Sequence, residues 1–133
     1  MSHNKVNLLL GSNLFDRKSN LIMAQKHIEL EIGTIIQKSE IIETIPDGFE
    51  SENRFLNQVI KIESALSPMQ ALAKIKNIEK QMGRVYNKTD QRYQDRLIDI
   101  DILNFNNLFY ESKKLTIPHH QIITRKFVKK III

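Results

Sequence analysis

The sequence predicts an α+β fold in which two helices cover one face of an antiparallel sheet and leave the other face, with its loops, free for a ligand. Three observations carry that reading. Short apolar or β-branched runs recur at residues 6–10, 35–44, 55–62 and 98–103. Two stretches between them, 16–33 and 67–83, place apolar residues at helical spacing. The resulting order is strand, helix, strand, strand, helix, strand. A β-β step between two β-α units is the order of the ferredoxin-like α/β sandwich. Many unrelated functions use that architecture, so it decides none of them.

Val6 to Leu10 is apolar apart from Asn7, and Gly11-Ser12-Asn13 stops it. A buried strand and a turn follow, and the turn can let a ligand approach the backbone closely or serve only as a turn. Asp16 suits the N-cap of the first helix. Leu21, Ala24, Ile28 and Ile32 give its inward face, and Gly33 ends it. Residues 35–44 read as one strand rich in isoleucine. Residues 45–54 form a polar loop punctuated by Pro46 and Gly48, longer than most connections. Phe55, Leu56, Val59, Ile60 and Ile62 mark the third strand, where Phe55 is either core or a ring offered to a planar ligand.

Ser67-Pro68-Met69-Gln70 is a capped helix start, with Ser as N-cap, Pro in the first turn and Gln completing a capping box. Ala71, Ile75, Ile78 and Met82 line one face, and Gly83 closes the helix. Glu79 falls beside that stripe, either a solvated charge or an acceptor for a ligand. Residues 87–94 are polar and without period. After the strand at 98–103, Asn106-Asn107 turns the chain into 108–110, a hairpin partner. His119 and His120 are adjacent and do not project to one side, which argues against a two-histidine metal site.

The chemistry concentrates between Arg84 and Phe105. On the strand at 98–103, Ile98, Ile100 and Ile102 share one face and suit a core, while Asp99 and Asp101 share the other. The two carboxylates stand about 7 Å apart along the backbone. Like charges so close repel unless something positive lies beside them. Mg²⁺ binds one or two carboxylates together with substrate phosphates. Arg84, Arg92 and Arg96 lie just upstream, suited to those phosphates. The plainer alternative is the wet face of an edge strand.

Composition narrows the classes. A chain of 133 residues supports one domain with a real core. The absence of cysteine excludes disulfides, cysteine-ligated zinc and a thiol nucleophile. No run approaches the roughly 20 apolar residues of a membrane span. The start, MSHNKVNLLLG, lacks the pattern of a signal peptide. A soluble cytoplasmic protein without membrane attachment is expected. The net charge of +5 suits an anionic partner.

Taken together, LLLGSNL at 8–14, Glu43-Thr44, Phe55-Leu56-Asn57, the helix bearing Glu79, Gly83-Arg84, DRLIDIDIL at 95–103, LTIPHH at 115–120 and Arg125-x-Phe127 resemble the 6-hydroxymethyl-7,8-dihydropterin pyrophosphokinase family of folate biosynthesis. The resemblance spans almost the whole chain in order. It implies a diphosphokinase that transfers the β,γ-pyrophosphoryl group of ATP to the hydroxymethyl group of the pterin, releasing AMP. It implies two Mg²⁺ ions on Asp99 and Asp101, with Arg84 and Arg96 assisting catalysis and Arg92 closing over ATP. Glu79, Ile102, Lys114, Thr116, His119 and Arg125 match positions that contact the nucleotide. Phe55 and Phe127 match two rings that sandwich the pterin, and Asn57 and the Thr44 backbone would read its polar edge. The substrates are then ATP and the pterin, with no nucleic acid, and a monomer is expected.

Tyr86, Tyr93, His120 and Asp47 depart from the residues common in that family. The single domain, residues 1–133, looks short at its C-terminus: FVKKIII stands where members usually run on. Three isoleucines left exposed there would favour association. Two other readings follow from the same residues. One is a catalytically weak relative that binds nucleotide or pterin. The other is a basic sandwich domain that binds RNA, which leaves Asp99 and Asp101 unexplained.

Overall fold

The computed structural model describes residues 3–46, 52–84 and 95–133. Among these, the order is β1 (Asn4–Ser12), α1 (Arg17–Glu31), β2 (Thr34–Lys38), β3 (Ile42–Thr44), β4 (Phe55–Ser64), α2 (Pro68–Gln81), β5 (Asp99–Phe105), β6 (Tyr110–Glu111), β7 (Thr116–Ile117), α3 (Gln121–Thr124) and α4 (Lys126–Ile131). The main sheet is antiparallel in the order β2-β4-β1-β5, with β3 also paired to β4. This is the expected sandwich. The apolar β1 takes a central place, where both of its faces are covered.

The helices start where local chemistry sets them. Asp16 caps α1 by accepting from the Ser19 N–H at 3.1 Å. Ser67 and Gln70 close a reciprocal capping box on α2, with Pro68 in its first turn. Leu21, Ala24 and Ile28 of α1 and Ala71, Ile75 and Ile78 of α2 pack on Val6, Leu8, Leu10, Ile60, Ile62, Ile100 and Ile102 of the sheet. That is the main core, and it holds the isoleucine face of β5.

Four expectations change. The run at 35–44 is two strands, because the Ser39 hydroxyl accepts from the Val59 N–H and the register against β4 slips by one residue between Lys38–Ile60 and Ile42–Asn57. The segment after Asn107 does not pair with β5: Tyr110–Glu111 pairs with Thr116–Ile117 as a separate small ladder. The second sheet face is not wholly open. Val128 and Ile131 of α4 seat on Leu9, Val59 and Leu103 there. The terminal isoleucines are accordingly covered, Ile131 fully and Ile132 and Ile133 in part. No helix among the described residues is long and apolar enough to cross a membrane.

Candidate active site

The part of the second sheet face that α4 leaves uncovered carries the predicted residues. Antiparallel register sets Asn57 opposite Gly11 and Gly11 opposite Asp99. Paired residues point to the same side, so Asn57 and Asp99 flank a position with no side chain. A Cβ on Gly11 would lie 3.4 Å from Asn57 Oδ1 and 3.5 Å from Phe55 Cδ1. Glycine here leaves the floor between the two strands open. The Asn57 amide donates to Ile42 O at 3.2 Å and Thr44 Oγ1 at 2.8 Å. Its Nδ2 donors are thereby spent within the sheet, and Oδ1 is the atom it presents toward Gly11.

Asp99 and Asp101 share this face, as the alternation predicts, with Ile100 and Ile102 turned into the helix-side core. Each carboxylate is tied through an arginine to an aromatic ring. Arg84 donates to Asp99 Oδ1 at 2.8 Å and Arg96 to Asp99 Oδ2 at 3.3 Å. The Arg96 guanidinium lies 5.6 Å from the centre of the Phe55 ring. On the other side, Gln121 donates to Asp101 Oδ2 at 3.0 Å and accepts from Arg125 at 3.1 Å. The Arg125 guanidinium sits 4.4 Å over the Phe127 ring. Both predicted ring positions are therefore half-buried beside cations, not lost in the core.

Glu79 lies behind this face. Its side chain is fully buried and accepts from Arg84 at 2.9 Å and from the Ile100 N–H at 2.9 Å. It therefore fixes Arg84 and the outer edge of β5. Ile102 is buried in the main core, so any contact it makes with a nucleotide runs through its main chain. Lys114 and Thr116 are exposed at the β6–β7 turn and on β7. Among the described residues, no hydrogen bond joins either one to the carboxylates. Arg92, Tyr86, Tyr93 and Asp47 lie outside the described residues.

Electrostatics mark the same spot. Burial first, and then the charge of Asp99, raise the Asp101 carboxyl to about 7, against an opposing hydrogen bond from Gln121. A second negative charge on this face is thus costly until a cation joins it. Among the described residues, no cluster of three or more His, Asp or Glu side chains could enclose a metal alone. Two carboxylates without a full protein cage suit Mg²⁺, which takes its other oxygens from water and phosphate. The residues present fit that ion. Burial, and then His120, pull His119 down to about 4, so its ring is uncharged at neutral pH. Its Nδ1 accepts from the Gln121 N–H at 3.2 Å, which assigns the proton to Nε2 as a donor.

Sequence reasoning missed Gln121 and the amide group of Asn13. Gln121 has no motif to reveal it. Asn13 stood in view within GSN but read as a turn residue, because its partners lie at 53, 95 and 96.

A family model for 7,8-dihydro-6-hydroxymethylpterin-pyrophosphokinase matches residues 7–133. A 2-amino-4-hydroxy-6-hydroxymethyldihydropteridine pyrophosphokinase of Porphyromonas gingivalis is 40% identical over 126 residues, covering 93% of this chain and 85% of that one. The enzyme of the same name from Aquifex aeolicus is 40% identical over 124 residues, covering 92% and 74%. Among solved structures, a Plasmodium falciparum HPPK-DHPS with SDX-DHP superposes with a TM-score of 0.74 at 17% identity over 99% of this chain. This chain spans 41% of that longer one, and the likeness there is one of fold.

Proposed function

The chain belongs to the 7,8-dihydro-6-hydroxymethylpterin-pyrophosphokinase family, and from that premise we propose how its second sheet face performs the reaction. The chain transfers pyrophosphate from ATP to 6-hydroxymethyl-7,8-dihydropterin in folate synthesis, giving AMP and the pterin diphosphate. The substrate hydroxyl oxygen bonds to the β-phosphorus, the bond from that phosphorus to the bridging oxygen breaks with its electron pair left on AMP, and the hydroxyl proton passes to solvent. Such a transfer needs alignment and charge neutralisation and no protein nucleophile.

In our reading the pterin lies over Gly11, stacked between Phe55 and Phe127. Asn57 Oδ1 accepts from its N–H edge while Thr44 holds the asparagine amide. Asp99 and Asp101 would hold Mg²⁺. Bound there, the metal neutralises phosphate charge and favours loss of the hydroxyl proton. Two ions is the stoichiometry we propose, checked by calorimetric metal titration in the presence of a non-hydrolysable ATP analogue. Arg84 and Arg96 are catalytic: each is poised to exchange an Asp99 oxygen for a phosphate oxygen. Lys114, Thr116, His119 and Arg125 bind the nucleotide, with His119 donating from Nε2, and Arg92, outside the described residues, is assigned to ATP by the family resemblance. Glu79 and Ile102 serve it from behind, through Arg84 and through the main chain. A monomer is the assembly we propose, checked by light scattering of the chain in solution.

The single observation that carries this reading is the pair of carboxylates tied through arginines to two rings, on the face that Gly11 leaves open. The test follows AMP with both substrates present. AMP should form only with the hydroxymethyl pterin and a divalent ion. Asp99→Ala should lower turnover by orders of magnitude. AMP released at equal rate without pterin would contradict the transfer, and near-normal turnover in Asp99→Ala would remove the metal assignment.

A further inference from the structure

Asn13 is buried, with 2% of its surface exposed, although it sits at a turn. Its main-chain N–H donates to Arg96 O at 3.1 Å, and its side-chain Oδ1 accepts from the Arg96 N–H at 2.6 Å. Both main-chain groups of Arg96 are thereby fixed by one residue. The Asn13 Nδ2 donates to Asp95 Oδ1 at 2.8 Å and to Asn53 O at 3.1 Å. Asn53 in turn donates to Asp95 Oδ2 at 2.9 Å. These partners assign the amide orientation: oxygen must face the N–H and nitrogen the carboxylate.

The three joined segments are the end of β1, the entry to β4 and the entry to β5. Asn53 stands two residues before Phe55, and Asp95-Arg96 stands just before Asp99. One side of the active site, Arg96 with Asp99, and the other, the Phe55 ring, are thus indexed to the same buried amide. We propose that Asn13, locked by Asp95 and Asn53, is a positioning residue that sets the distance between the phosphoryl half and the pterin half of the site. The proposal rests on the reaction above.

A residue with that role touches neither substrate, so each substrate binds nearly as before when it is altered. What is lost is alignment, and a displacement of about 1 Å costs roughly a hundredfold in rate. Asn13→Asp keeps the acceptor for the Arg96 N–H and sets a carboxylate against Asp95. Adding Asp95→Asn restores a donor between positions 13 and 95 in the reverse sense and leaves an oxygen for the Asn53 side chain, while the Asn53 main-chain O lacks its donor in both variants, so the pair restores part of the lock.

The experiment measures kcat, both KM values and thermal midpoints for the wild-type chain and three variants. Asn13→Asp should lose about 10- to 100-fold in kcat with either KM changed by less than about threefold. Asp95→Asn, at a partly exposed position that leaves the buried amide in place, should lose less, in kcat as well. The Asn13→Asp/Asp95→Asn pair should recover part of the loss of Asn13→Asp, by about threefold or more. A loss carried by KM alone, or a pair no better than the worse single variant, overturns the proposal. If Asn13→Asp does not fold, Asp95→Asn decides: an unchanged kcat overturns it too. Wild-type chain that forms no pterin-dependent AMP would instead strike at the reaction itself, so the two failures are distinguishable.

Discussion

Glu79 shows what a buried charge needs. Its carboxylate is enclosed, and Arg84 at 2.9 Å, the Ile100 N–H at 2.9 Å and Lys76 at 3.6 Å are among the groups that meet it. Enclosed ions persist only when paired and hydrogen-bonded, and removing one partner strands the others. Arg84 has only 8% of its side chain exposed, so it cannot turn to water instead. Glu79→Ala should therefore destabilise the fold by about 3–5 kcal/mol, read by urea unfolding. Glu79→Gln keeps an acceptor for the Ile100 N–H and should cost about 1–3 kcal/mol. An alanine variant within about 1 kcal/mol of wild type would show that the pair is dispensable. The periodicity of α2 placed Glu79 beside the apolar stripe but left its burial open, because its β5 partner is 21 residues away. Asp99 and Asp101 were legible for the opposite reason. Strand alternation is local, and it sets their shared face without knowledge of any partner.

At the scale of elements, helix starts were legible because caps act over three residues. The Asp16 carboxylate is held below its ordinary 3.8 by the hydrogen bond from the Ser19 backbone. A depressed carboxyl contributes stability above its unfolded pKa, and that contribution is lost as pH falls through the folded value. Asp16→Ala should thus lower the thermal midpoint at pH 7, and the gap to wild type should narrow progressively below about pH 3.8. Asp16→Asn should keep much of the cap and show a flatter acid limb. A gap that stays constant down to the acid transition would deny the charged cap. Gly33 was read as a helix stop, and it does follow α1. The tighter constraint is elsewhere: a Cβ there would meet Glu63 O at 2.2 Å, a contact with β4 that no local pattern contains. The split of 35–44 into β2 and β3 was illegible for a related reason. It arises from the interruption at Ser39 and a one-residue slip against β4 between Lys38 and Ile42, and pairing partners are not written in the strand's own residues.

At the scale of the molecule, the sheet divides its two faces between stability and chemistry, and α4 stands where the two meet. Its last turn seats Ile131 on Leu9, Val59 and Leu103, and its first turn carries Phe127 beneath Arg125. Asn7 adds a clasp from the middle of β1, donating to Ile133 O at 2.8 Å and accepting from the Ile133 N–H at 3.2 Å. The lysines and isoleucines of FVKKIII were visible in the sequence and read as an exposed end, but the surface that receives them was not, because β1 reads as apolar without revealing which face α4 covers. A helix of six residues has little stability of its own and depends on that seat. Loosening Ile131 should then release Phe127 and Arg125 before the rest of the fold opens. Ile131→Ala should cost about 2–5 kcal/mol in the local opening of α4, read by amide hydrogen exchange. The KM for the pterin should rise by about tenfold or more, while amides of α1 and the centre of β1 exchange as in wild type. Arg125 also serves the nucleotide in the proposed site, so the KM for ATP should rise too, by less. A variant that loses exchange protection uniformly, with the pterin KM unmoved, would mean that α4 opens only with the whole domain and holds no ring in place for the substrate.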